Sequence, residues 1–136
     1  MEVYMPFVNK FKILVCTACL MLVGQGFAAD CSTGATWGGY TTQEVTPVGS
    51  VYKISTPQEL AWFSCYVTNN QSIAKYYNAE LTQSIDMKID GEKKLFIPIA
   101  AGGGGNKYEG TFDGKGFTIS NLFIQVSHKI GKSTFF

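Results

Sequence analysis

Turn-forming residues crowd one short stretch of the chain, "YEGTFDGKGFTISNLFI" at residues 108–124. Aromatic and β-branched side chains separate them, a composition typical of strands rather than of a helix. The stretch therefore predicts either a glycine-rich loop that binds phosphate or sharp corners between short strands. The turn-forming residues are Gly110, Asp113, Gly114, Gly116 and Asn121.

The glycine spacing excludes the phosphate loop. A dinucleotide fingerprint starting at Gly114 needs its third glycine where Ile119 stands, and no helical pattern follows. The segment "IGKST" at 130–134 resembles the end of a P-loop, but the first glycine of that motif would have to replace Val126. We therefore expect that the chain binds no nucleotide and no other cofactor. We expect the glycine-rich stretch to form a sharp corner between short strands. Gly114 and Gly116 would supply positive φ or close backbone approach, and Asp113 would bond to nearby amides.

Residues 1–29 have the order of a secretory signal peptide. Lys10 and Lys12 flank the start of an apolar run at 11–23, which small residues follow. The run is shorter than the roughly 20 apolar residues of a membrane span. Cleavage after Ala28 fits the small-residue rule better than cleavage after Ala29. The sequence thus predicts a secreted or cell-surface protein that makes no membrane contact after cleavage.

The four cysteines divide between the signal peptide and the exported part. Cys16 and Cys19 leave with the signal peptide, and Cys19 lacks the aliphatic residue three positions earlier that a lipoprotein signal requires. Cys31 and Cys65 remain in an oxidising compartment and are the candidate disulfide, with two unpaired thiols as the alternative. Nine lysines and nine acidic residues follow residue 29, so a nucleic-acid partner has no electrostatic basis.

The clearest predicted helix is "STPQELAWFSCYVTNN" at residues 55–70. Thr56 and Glu59 have the spacing of a capping box, and Pro57 occupies the first helical position. Both helix faces carry apolar side chains, so we expect one to pack on the domain body. The other, with Trp62, should lie under the segment 31–50.

Beyond residue 73 the pattern changes to short extended pieces separated by turn signals. The pieces are "AELTQSIDM", "KLFIPIA", "GTF" and "FTISNLFIQV". Many short strands with tight corners indicate a solenoid or a small all-β domain. A parallel β-helix suits the pattern, because each coil consists of short strands joined by bends.

The segments "VYKISTPQELAWFSCYV", "NAELTQSIDM", "FIPIA" and "YEGTFDGKGFTISNLFI" together resemble the start of secreted bacterial β-helix proteins with GLUG-type repeats, often adhesin-like. The resemblance implies a mainly-β fold, the start of a right-handed parallel β-helix with an N-terminal capping α-helix. Its organisation would be a signal peptide (1–29), an extension (30–50), a strand plus capping helix (51–72) and first coils (73–136). Because "HKIGKSTFF" replaces the "GLFG"-like continuation, we expect the coils to be incomplete.

The resemblance, the export signal and the thin site chemistry favour a non-catalytic adhesion or surface-binding module. The alternatives are the N-terminal part of a β-helix enzyme that degrades polysaccharide, and a carbohydrate-binding appendage. Partners would be further coils or a second copy, and a cell-surface, plant or host polysaccharide.

Few side chains offer site chemistry. His128 is the only histidine, which excludes a multi-histidine metal site, so we expect no metal. Asp86 and Asp90 are four apart in or near a strand, a spacing that does not aim two carboxylates at one glycosidic bond. Three tyrosines could stack on sugar rings or belong to the core: Tyr76, Tyr77 and Tyr108.

Overall fold

One helix lies at the centre of the computed structural model, which describes residues 29–102 and 105–125. Helix α1 spans Pro57–Asn69. Its N-cap hydroxyl, on Thr56, accepts the Glu59 backbone N–H at 3.2 Å, and the Glu59 carboxylate accepts the Thr56 N–H at 3.1 Å. Both halves of the capping box are present, with Pro57 in the first turn. The helix therefore begins where its local sequence signals place it.

Three features of the sequence fall outside the described residues. They are the predicted signal peptide up to residue 28, His128 and the segment "IGKST". The helices that the structure does describe include none long and apolar enough to cross a membrane.

The strands are short, and only two of those described exceed two residues. They are β1 (Thr36–Trp37), β2 (Tyr40–Thr41), β3 (Val51–Ile54), β4 (Asn78–Leu81), β5 (Ile85–Asp86), β6 (Lys88–Ile89), β7 (Glu92–Lys93), β8 (Phe112–Asp113) and β9 (Ile119–Ser120). A single 3₁₀ turn, Ala74–Tyr76, separates α1 from β4 in this part of the chain.

These strands form four separate small sheets among the described residues. The largest has the order β3-β4-β8 and is parallel, with Ile54 opposite Leu81 and Ala79 opposite Phe112. A second parallel pair joins β5 to β9. The other two sheets, β1-β2 and β6-β7, are antiparallel.

The core consists of buried side chains from α1, from strands β2 to β5 and from the loops between the elements. Five of its fourteen buried apolar residues belong to the helix. The strands and the loops between them supply the others, among them Ile54, Leu81, Ile85 and Met87. The helix thus contributes more of these buried apolar residues than any strand does.

The predicted mainly-β, right-handed parallel β-helix is therefore wrong. The described residues form a small mixed α/β fold with short strands in separate sheets, one α-helix and no solenoid. The physical reason is that alternation and turn residues identify short extended pieces but do not specify how they pair. Two antiparallel sheets and a helix that supplies much of the core replace a stack of equivalent coils.

The segment 30–50 also takes part in the core and does not extend away from it. Tyr40 and Thr42 are both 1 % exposed, and the Tyr40 hydroxyl donates to the Met87 carbonyl at 2.7 Å. The Trp37 indole N–H donates to the Ser64 hydroxyl at 3.2 Å. These bonds anchor the segment to α1 at Ser64 and to the chain between β5 and β6 at Met87.

The glycine-rich stretch forms a tight turn between β8 and β9. The Phe117 N–H donates to the Gly114 carbonyl at 2.8 Å, with φ values of 51° at Lys115 and 82° at Gly116. Positive φ at both central residues is the conformation of a type I′ turn. The Asp113 carboxylate accepts the Lys115 N–H at 2.8 Å. Lys115, and not Gly114, therefore adopts the first left-handed conformation.

Gly110 and Asn121 shape the two ends of the same stretch. The backbone carbonyl oxygen of Tyr77 occupies the space that a Cβ atom at residue 110 would need. Any side chain at this position would therefore collide with the backbone. Asn121 has φ 56°, and its side-chain amide donates to the Asp86 carboxylate at 2.8 Å. Asparagine tolerates this conformation better than most residues, which explains its place at the bend.

Candidate functional site

Four aromatic rings form a continuous cluster beside the helix. Trp62 stacks on Tyr66 with ring centroids 5.0 Å apart and an interplanar angle of 16°. The ring centroids of Tyr66 and Tyr77 are 6.2 Å apart, and those of Tyr77 and Tyr52 are 5.3 Å apart. The ring centroid of Tyr52 lies 5.7 Å from that of Trp62, so each ring of the cluster contacts two others. We call these residues the aromatic cluster.

Local structure explains why these rings meet. Trp62 and Tyr66 are four apart on α1, so their side chains share one helix face. Tyr52 lies on β3, and Tyr77 immediately precedes β4. Because β3 and β4 pair in parallel from Val51 and Asn78, both tyrosines come to the same side of the helix.

An open cleft of ≈ 340 Å³ lies at the Trp62–Tyr66 end of the cluster. One wall is the helix face, with Trp62, Tyr66, Asn69 and Asn70. The other wall consists of residues 29–32 and Glu44. We call this feature the aromatic cleft. Concave sites with aromatic walls and a few polar groups are typical small-ligand sites.

A disulfide holds the two walls together. Cys31 lies in the outer wall and is bonded to Cys65 on α1, with a Cα–Cα distance of 5.8 Å. The Ala29 N–H donates to the Asn69 side-chain oxygen at 3.3 Å. The Asn69 amide in turn donates to the Cys65 carbonyl at 2.8 Å. The geometry of the cleft therefore depends on a covalent bond and on one asparagine.

Two carboxylates give the cleft its charge. The Ser32 backbone N–H donates to the Asp30 carboxylate at 2.9 Å, and this bond holds the pKa of Asp30 below its ordinary value. Glu44 is exposed, and its carboxylate has no hydrogen bond or ion pair within residues 29–102 and 105–125. The Asn70 amide donates to the Tyr66 carbonyl at 2.9 Å, which orients its side chain at the rim.

The structure does not bring the three predicted tyrosines onto one surface. Tyr77 belongs to the aromatic cluster, while Tyr108 packs edge-on against Phe63 and donates its hydroxyl proton to the Tyr77 carbonyl at 2.8 Å. Burial raises the pKa of Tyr108 to about 12. Tyr76 is 55 % exposed, and the Lys75 ammonium lies 4.7 Å from its ring centroid.

The residues of the aromatic cleft were missed by sequence reasoning. Trp62, Tyr66 and Asn70 recur at intervals of four, which places them in one row along α1. That spacing was available from the sequence and could have identified the helix wall. No spacing in the sequence identifies Asp30 and Glu44 as cleft residues, because the disulfide and the fold of segment 30–50 bring them to the aromatic cleft.

Other arrangements in the described residues are structural. The Asp86 carboxylate accepts hydrogen bonds from the Lys88 N–H and from the Asn121 side-chain amide. These bonds lower the pKa of Asp86 and hold the bend at Asn121. No group of three or more His, Cys, Asp or Glu residues that could hold a metal ion occurs among residues 29–102 and 105–125. A groove of ≈ 200 Å³ beside β8 and β9 is lined by apolar side chains, including Leu60 and Phe96.

No family model matches the sequence, and neither a curated protein nor a solved structure matches the chain. We therefore infer function from the chemistry of the aromatic cleft.

Proposed function

We propose that this protein is a non-catalytic, exported module of the cell surface or medium that binds polysaccharide through the aromatic cleft. The observation that carries the proposal is the stacked pair Trp62 and Tyr66 in one wall of the cleft. Aromatic rings bury the apolar C–H faces of sugars, and nearby polar groups bind the hydroxyls. Glu44, Asp30 and the Asn70 side-chain oxygen are hydrogen-bond acceptors at the same site.

The size of the cleft suits this role. A volume of ≈ 340 Å³ lies at the lower end of the range for small-ligand sites, and the cleft is open to one side. An open site of this kind can take one or two residues of a long chain while the rest of the polymer continues into solvent.

The electrostatics make Asp30 a poor general acid for glycoside hydrolysis. A glycosidase pairs a nucleophile or base with a general acid whose pKa is raised by its surroundings. The pKa of Asp30 is lowered, because the Ser32 N–H stabilises the ionised form. Asp30 is thus suited to accept hydrogen bonds and not to donate a proton to a leaving group.

The disulfide supports the exported location. Structural disulfides persist in oxidising compartments and are rare in the cytosol of most organisms. The bond between Cys31 and Cys65 joins the two walls of the proposed site, so a reducing compartment would loosen that site.

The test is binding of the full chain to a panel of neutral, cationic and anionic polysaccharides, by affinity electrophoresis and by tryptophan fluorescence. Tyr66→Ala should weaken binding about tenfold, because it removes the half-buried ring of the stacked pair, whereas Trp62 is only 4 % exposed. Tyr66→Phe keeps the ring and should bind like the parent protein. Tyr76→Ala removes an exposed tyrosine outside the cleft and should change nothing.

Unchanged thermal midpoints in the three variants would show that any loss of affinity comes from the site. Absence of binding to every polysaccharide would contradict the proposal. Equal affinity of the parent protein and a folded Tyr66→Ala variant would also contradict it, because the cleft would then not be the site.

A further inference from the structure

We propose that the aromatic cleft selects a sugar with a protonated amino group, such as an oligomer of a 2-amino-2-deoxyhexose whose amines are not acetylated. The inference rests on the proposed function, because it concerns the ligand of the same site.

The first step is the charge of the lining. Asp30 and Glu44 line the cleft, and no lysine does. Cleavage after Ala28 would place the new α-amino group on Ala29 at the edge of the cleft, and one negative charge would remain. A cationic ligand therefore meets an attractive field, and a uronic acid meets a repulsive one.

The second step is that no lysine of the described residues forms an ion pair with these two carboxylates, a property that they share with Glu59, Asp86 and Asp90. Four of the nine acidic residues in the described parts of the chain form ion pairs with lysine: Glu80, Glu92, Glu109 and Asp113. Asp30 and Glu44 have no lysine partner among those residues. A ligand ammonium can therefore pair with them without displacing a lysine of this chain.

The third step is the ring faces. The π-face of Tyr or Trp attracts a cation within about 6 Å of its centroid. The ring of an amino sugar offers its C–H face to Tyr66 while its ammonium group pairs with the carboxylates. An N-acetylated sugar keeps the stacking contact and loses the charge, so it should bind more weakly.

The experiment compares four probes of matched length or charge by calorimetry with the full chain. They are a glucosamine tetramer, an N-acetylglucosamine tetramer, a galacturonic acid tetramer and a linear polyamine. At a pH where the sugar amines are protonated, the glucosamine tetramer should bind about tenfold more tightly than its acetylated counterpart. Added salt should reduce this advantage.

Matched variants assign the selectivity to the two carboxylates. Glu44→Gln and Asp30→Asn should each weaken glucosamine binding about threefold, as expected for exposed ion pairs. Both should weaken N-acetylglucosamine binding less than glucosamine binding, because the amide oxygen can still accept a hydrogen bond from a sugar hydroxyl while the ion pair is lost. Asparagine at position 30 can still accept the Ser32 N–H, and Glu92→Gln, which alters an exposed carboxylate outside the cleft, is the control.

The outcomes separate the two proposals. If no sugar binds, the proposed function fails. If the acetylated tetramer binds as tightly as the glucosamine tetramer, or the galacturonic acid tetramer binds best, selection for an amino group is wrong while saccharide binding stands. If the polyamine binds as well as the glucosamine tetramer, the cleft recognises charge alone and the inference is overturned.

Discussion

Cys31 and Cys65 lie 34 positions apart in the sequence, and their bond joins the two walls of the aromatic cleft. Cys65 is fully buried on the helix, whereas Cys31 is half-buried between the exposed residues Asp30 and Ser32. The disulfide thus fixes residues 29–32 against the helix. Stability and ligand binding should both depend on it.

Removing the disulfide by the double change Cys31→Ala and Cys65→Ala should lower the free energy of unfolding by about 3 to 4 kcal/mol, according to the chain-entropy model. Urea unfolding with and without reductant measures this. Reductant should destabilise the parent protein by a similar amount and leave the double variant unaffected. A parent protein insensitive to reductant, although its thiols become reactive, would contradict the structural role.

Gly110 and Gly114 should respond differently to alanine. At Gly110 a methyl group would collide with the Tyr77 carbonyl, whereas at Gly114 its nearest contact is the Phe117 carbonyl oxygen at an ordinary 3.6 Å. Gly110→Ala should destabilise the protein by about 1 to 3 kcal/mol. Gly114→Ala should be neutral or stabilise by about 0.4 to 1 kcal/mol, because it restricts the unfolded chain.

Urea midpoints of these two variants provide the comparison. Neither glycine has positive φ, so a difference between them reports the close backbone approach alone. Equal effects of the two substitutions would contradict the packing described for this stretch.

The parts of the fold that were predicted correctly from the sequence are those determined by interactions between residues close together in the chain. Thr56, Pro57 and Glu59 lie within four consecutive residues, and their interactions need no distant partner. The pairing of Cys31 with Cys65 also followed, because two cysteines remain after residue 29. The sheets were predicted wrongly, since strands of two residues carry too little pattern to specify their neighbours.

Tyr108 should make the protein sensitive to alkali. Burial raises its pKa from the ordinary 10.0 to about 12, so the folded state favours the neutral phenol. That contribution to stability is complete below the ordinary pKa and is lost as the pH rises from about 10 to about 12. Tyr108→Phe removes the titrating group, so its stability should fall less steeply over that range.

Spectrophotometric titration and urea unfolding at several alkaline pH values test this. Tyr108→Phe loses the hydrogen bond to Tyr77, so its stability at neutral pH should be lower, but the slope with pH is a separate readout. An identical slope in the parent and the variant would contradict the assignment.

The candidate site shows a second limit of sequence reasoning. Tyr76 and Tyr77 are adjacent and looked equivalent, but only Tyr77 enters the aromatic cluster, because the parallel pairing of β3 with β4 sets which ring meets Tyr52. Trp62 and Tyr66 were predicted as helical residues and not as a binding surface. Their proposed role in binding depends on Glu44 and residues 29–32, which reach the helix only through tertiary structure.

The most direct test of saccharide binding is a backbone and side-chain NMR titration of the full chain with the oligosaccharide that binds best in the panel. Saturable shift changes should appear at Ser32, Glu44, Tyr66 and the Asn70 side-chain amide, with Tyr76 unchanged. Changes centred on Tyr76, or none at the aromatic cleft while the sugar binds, would contradict it.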